Sequence, residues 1–122
     1  MKLHASLPGG VNTITGYGEG YVTINGERRD SSVVVLPGRI VDWTAQRFDA
    51  LTPEDFAFLG QLDAEILLLG TGSKQRFPHP RLTAGLAKTG IGIEVMDLRA
   101  ACRTYNILVA EERKVAAALL FE

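Results

Sequence analysis

Three short apolar runs in the second half of the chain, Glu65–Leu69, Ile91–Val95 and Val115–Phe121, alternate with stretches that carry helix start and stop signals. Strands spaced in this way are joined by crossover helices, which places parallel strands at the centre of a sheet and helices on both of its faces. The third run is the informative one. Taken locally, EERKVAAALLFE has the propensity of a helix, but its place directly after a strand and a helix assigns Val115–Phe121 to a strand that closes a second βαβ unit.

The intervening signals are specific. Thr52 can cap a helix, Pro53 suits its first position, Glu54 and Asp55 favour its positive end, and Phe56, Leu59 and Leu62 form its apolar stripe. Glu65–Leu69 reads as a strand buried on both faces that ends on Gly70 and leads into a loop from Thr71 to His79. Pro80–Lys88 predicts a helix closed by Gly90. Asp97 predicts the cap of another, reaching about Asn106, with Leu98, Ala101 and Tyr105 along one face.

The first third has a different pattern, in which β-branched and aromatic residues alternate with polar ones. Asn25-Gly26 supplies the positive-φ pair of a two-residue hairpin turn. Val33–Leu36 is too continuous for a half-exposed strand and reads as central until Pro37-Gly38 turns the chain; Ile40, Val41 and Trp43 predict a short extended piece after it. The hairpin region is expected to extend the sheet or to sit beside it. The whole is an α/β domain, 1–122, around a mixed, largely parallel sheet with an N-terminal β-hairpin region.

Composition excludes several function classes. At 122 residues one core is enough, and 46% apolar with 22% charged residues is ordinary globular usage. Thirteen Lys and Arg against fourteen Asp and Glu leave a net charge of −1, no footprint for nucleic acid or anionic lipid. A lone cysteine, Cys102, excludes an intrachain disulfide and makes the cytoplasm the expected compartment. No run is apolar or long enough for a signal peptide or a membrane span.

Gly70-Thr71-Gly72-Ser73-Lys74 has the parts of an anion cradle: glycines that let amides approach, hydroxyls that donate, and a lysine charge. It also lies where open α/β sheets bind ligands, beyond the carboxyl end of a parallel strand. The spacing is neither that of a Walker loop nor that of a dinucleotide fingerprint, and a tight turn needing positive φ is the structural alternative. Arg103 is the cation that joins Thr71, Gly72, Ser73 and Lys74 in a ligand-binding set, unless it is tied into a salt bridge or to loop carbonyls. Arg76 reads as a solvated loop residue. Cys102 with His79 as its base lacks a third group, so Cys102 reads as a small buried hydrophobe. His4 and His79 are the only imidazoles and neither has partners at ligand spacing, so no metal and no cofactor are expected. Asp42, Asp49, Glu54, Asp55 and Asp63 form no acid–base pair. Tyr105 is expected to pack with its hydroxyl bonded, and Asn106 suits a helix end.

Two stretches, LLLGTGSKQRFPHP at 67–80 and EVMDLRAACRTYNILVAEERKVAAALL at 94–120, carry a family pattern. Gly70-Thr71-Gly72, Met96, Ala101, Arg103-Thr104-Tyr105-Asn106 and Arg113 with Val115 resemble the small domain family of unknown function that includes the mitochondrial complex I assembly factor 3 and many uncharacterised bacterial and archaeal proteins. Asn25-Gly26, Ser32, Val35, Pro37 and Trp43 extend the resemblance over nearly the whole chain. It implies a three-layer α/β sandwich around a mixed sheet with an added β-hairpin. It implies no established chemistry for short bacterial members. The expectation is therefore a non-enzymatic binding or assembly-accessory protein with a protein partner. The alternative is a small-ligand or anion-binding protein, a weak enzyme included, with its site at the carboxyl ends of the parallel strands. Exposed strand edges and Phe77 make a weak homo-oligomer an added expectation.

Overall fold

The computed structural model describes residues 10–122 and shows a mixed α/β fold built on two sheets. The first is antiparallel, in the order β1 (Ile14–Gly18), β2 (Tyr21–Ile24), β3 (Glu27–Arg29). Between β2 and β3, Asn25 and Gly26 both adopt positive φ, 54° and 85°, as the two-residue turn requires. The second sheet holds β4 (Val33–Leu36), β5 (Arg39–Asp42), β6 (Ile66–Thr71), β7 (Gly92–Met96) and β8 (Val115–Leu120), in the order β5-β4-β8-β6-β7. Strands β7 and β8 run parallel to β6 on either side of it, while β4 joins β8 antiparallel and turns through Pro37-Gly38 into β5. The hairpin region does not extend this sheet. It lies beside it.

Every residue of β8 is buried, which explains its composition. Val115, Ala117 and Leu119 join the apolar cluster on one face of the sheet, and Ala116, Ala118 and Leu120 join the cluster on the other. A strand between two neighbours and covered on both sides has room for small side chains, so tertiary placement overrides the helical preference of alanine.

Helix α1 (Pro53–Leu59) opens on a capping box: Thr52 Oγ1 accepts from Asp55 N, and the Asp55 carboxylate accepts from Thr52 N at 2.9 Å. Its Phe56 and Leu59 pack on the same sheet face as Trp43, whose indole donates to Asp55 O. Helix α3 (Leu98–Ala110) covers the other face, with Leu98, Ala101, Cys102, Tyr105 and Val109 turned inward beneath the small sheet.

Two expected boundaries differ. Pro80–Lys88 is not one helix: α2 (Pro80–Thr83) ends after one turn, and a 3-10 turn follows at Leu86–Lys88. Leu86 is its one fully buried residue, too little apolar contact to carry a continuous helix through Gly85. Helix α3 continues past Asn106 for another turn, because Val109 adds to the buried face and anchors it.

Candidate functional site

Strands β6, β7 and β8 are parallel, so their carboxyl ends share one edge of the sheet, where the loop after β6, the start of α3 and the segment after β8 meet. The β1–β2 turn arches over the same edge. Between them lies a cleft of about 610 Å³, lined by Tyr17 to Gly20, Gly72 and Ser73, Asp97 to Arg99, and Phe121 and Glu122.

The Gly-Thr-Gly loop is shaped by that last segment. Gly72 has φ +92°, and a Cβ there would run into the Glu122 carbonyl oxygen. Ser73 N donates to that same oxygen at 2.8 Å. Thr71 is wholly buried; its hydroxyl donates to Lys74 O and accepts from Arg76 N at 3.1 Å. The hydroxyl and the amide expected to cradle an anion are therefore already engaged by the protein itself. Of the five expected ligand residues, Gly72 and Ser73 line the cleft, Thr71 is buried outside its lining, and Lys74 and Arg103 are exposed outside it.

Arg76 is not a free surface cation. Its Nη2 pairs with Glu122 Oε1 at 3.0 Å and donates to Thr71 O at 3.3 Å, and its guanidinium stacks 4.5 Å from the Phe48 ring centre. Glu122 Oε2 accepts from Phe48 N. Partial burial opposes ionisation of Glu122, but the Phe48 amide and the Arg76 charge outweigh it and lower the carboxyl pKa.

Arg103 makes no salt bridge among the described residues. The Arg99 guanidinium lies 6.0 Å from the Tyr17 ring centre, and hydrogen bonding from Arg99, then from Arg103, lowers that phenol's pKa. This cluster was not legible in the chain, because Tyr17 lies on a strand far from α3 in sequence; the one local signal is the Arg99/Arg103 spacing, which puts both on one helical face.

Cys102 is buried on the inner face of α3, and burial pushes its thiol up to about 12. His79 is exposed and caps α2, its Nδ1 accepting from Arg81 N at 3.1 Å, so the two are not brought together. Among the described residues no three His, Cys, Asp or Glu side chains converge; His4 lies outside them. Tyr105 donates its hydroxyl to Asn12 O at 2.9 Å, and Asn106, inside the helix, exchanges two hydrogen bonds with the backbone of Ile14.

Residues 14–120 match a family model described as "Protein of unknown function (DUF498/DUF598)". The Mus musculus NADH dehydrogenase (ubiquinone) 1 alpha subcomplex assembly factor 3 is 35% identical over 109 residues, 88% of this chain and 59% of that protein. The chain thus spans under two thirds of the length of this relative. A crystal structure of a Bordetella parapertussis protein superimposes with a TM-score of 0.85 at 38% identity, over 92% of this chain and 97% of that one. A Bartonella henselae structure described as an outer membrane protein gives 0.81 at 30% identity, over 92% and 96%. No helix among the described residues is long and apolar enough to cross a membrane.

Proposed function

The chain belongs to the DUF498/DUF598 family of proteins of unknown function, and from that premise we propose that it is a non-enzymatic accessory that binds a protein partner during assembly of a larger complex. The observation that carries this reading is the similarity, over 88% of the chain, to a protein named as an assembly factor. Two apolar side chains add to it: Phe77 in the loop after β6 is 71% exposed and Ile107 on α3 is 58% exposed. They are the large apolar side chains that the described residues leave most exposed, and so the places at which to test a partner contact.

The proposal includes the architecture in its finer form. Helix α1 on one sheet face and α3 with the small sheet on the other fit a three-layer sandwich. It also includes a cytoplasmic location, for which the support is a single unpaired cysteine.

The test is capture of partners by a tagged chain in its own organism, with mild cross-linking, beside the Phe77→Asp and Ile107→Asp variants. The reading predicts one reproducible partner that either substitution weakens without lowering Tm. Recovery of no reproducible partner contradicts it.

A further inference from the structure

Asn25-Gly26 sets a side-chain amide beside a backbone nitrogen that no β-carbon shields, since Gly26 carries none to keep its N–H from Asn25 Cγ. Both residues are exposed on the β2–β3 turn, so water is at hand. Yet every reacting group is tied. Asn25 Nδ2 donates to Asn12 Oδ1 at 2.8 Å, Asn25 Oδ1 accepts from Thr13 N at 3.0 Å, and Gly26 N donates to Thr15 Oγ1 at 3.0 Å. From this geometry we infer that Asn25 is a deamidation site held closed by the native turn, opened when the small sheet comes apart, and that its conversion keeps the sheet from closing fully again. This goes beyond the accessory role and stands whether or not a protein partner is found.

In the reaction the Gly26 nitrogen gives up its proton and attacks Asn25 Cγ. The new C–N bond closes a five-membered imide as the Cγ–Nδ2 bond breaks, and Nδ2 leaves with that proton as ammonia. Water then opens the ring at either carbonyl, giving aspartate or isoaspartate and one added negative charge. In the folded turn the attacking nitrogen is directed to Thr15 and the carboxamide to Asn12 and Thr13, so these bonds must break before the two meet. The rate therefore follows the population of the opened turn. Neither product fits. Aspartate at 25 still accepts from Thr13 N but sets its second oxygen against Asn12 Oδ1, two acceptors with no proton between them. Isoaspartate adds a main-chain carbon to a two-residue turn closed by Ile24 opposite Glu27, which disturbs the register that follows. The disturbed contact also ties the two sheets together, because Asn12 Nδ2 donates to Leu36 O on β4 at 2.9 Å.

The test is incubation of the whole chain at mildly alkaline pH, folded in buffer and unfolded in urea, with Asn25 followed by peptide mass spectrometry that separates aspartate from isoaspartate. Deamidation of the folded chain should be slower by roughly tenfold or more, since more than one hydrogen bond must open. Thr15→Val removes the partner of Gly26 N and leaves those of the Asn25 side chain in place. It should speed the folded reaction roughly threefold or more and leave the rate in urea unchanged. Asn25→Asp, which supplies one product directly, should reduce amide protection of Ile24 and its β1 partner Ile14. Equal rates in buffer and urea, or a folded Thr15→Val chain that deamidates at the parent's rate, overturn the gating. Unchanged protection of Ile24 in Asn25→Asp overturns the effect on the sheet.

Discussion

Arg76 and Glu122 form an ion pair at 3.0 Å that fastens the loop after β6 to the segment following β8, and through Phe48 N the same carboxylate holds the 3-10 turn at Phe48–Ala50. Three separate stretches of chain meet at one side chain. The Glu122 pKa is lowered from its ordinary 4.5, so its contribution is present above that value and lost as pH falls through the folded pKa. Glu122→Gln should lower stability by about 1 kcal/mol at pH 7, a modest figure because both partners are partly solvated. Denaturant melts at pH 7 and below pH 4 check this: the difference between variant and parent shrinks in acid.

Gly72 meets Glu122 from the other side. Gly72→Ala forces a β-carbon into a carbonyl oxygen at a φ that L-residues avoid, and should destabilise by about 2–3 kcal/mol. In the variant the Ser73 amide should exchange faster with solvent, since its bond to Glu122 O is the one displaced. Hydrogen exchange followed by NMR reads both effects.

Asn106 acts as a strand partner. Its Oδ1 accepts from Ile14 N at 2.9 Å and its Nδ2 donates to Ile14 O at 2.7 Å, so one side chain does for β1 what a neighbouring strand would. Asn106→Ala strands both backbone groups of a residue whose side chain lies in the core, and should destabilise by about 2–3 kcal/mol. The loss should fall first on the small sheet, as reduced amide protection of Ile14 and its β2 partner Ile24.

Tyr17 should ionise below the ordinary phenol value because Arg99 and Arg103 favour the phenolate, whereas burial pushes the Tyr105 phenol upward. An ultraviolet absorbance titration should show an early phenol that disappears in Tyr17→Phe and moves to higher pH in Arg99→Gln. A titration without that early step contradicts the cluster.

The parts of the fold legible in the sequence are those fixed by local chemistry or by chain order. Thr52-Pro53 and Asp97 mark helix starts through their own caps, and Asn25-Gly26 marks its turn through positive φ. Val115–Leu120 was readable only through order, since its alanines taken alone favour a helix. The break at Gly85 depends on how little of Pro80–Lys88 touches the core, which no local signal carries. The site was legible in place but not in membership. Gly72 and Ser73 reach the cleft, while the Thr71 hydroxyl and the Ser73 amide are taken up by groups within the chain, and Tyr17 and Glu122 come in from distant segments.

The claim that this chain works as an accessory to another protein is tested most directly by its native size. Gently lysed cells of its own organism, fractionated by size exclusion and probed for the untagged protein, should show it in an assembly larger than a dimer of the 122-residue chain. High salt should release part of it, and Phe77→Asp at the chromosomal locus should shift it toward the free chain. Elution wholly at the size of the lone chain or its dimer, under conditions that keep other complexes intact, contradicts the account.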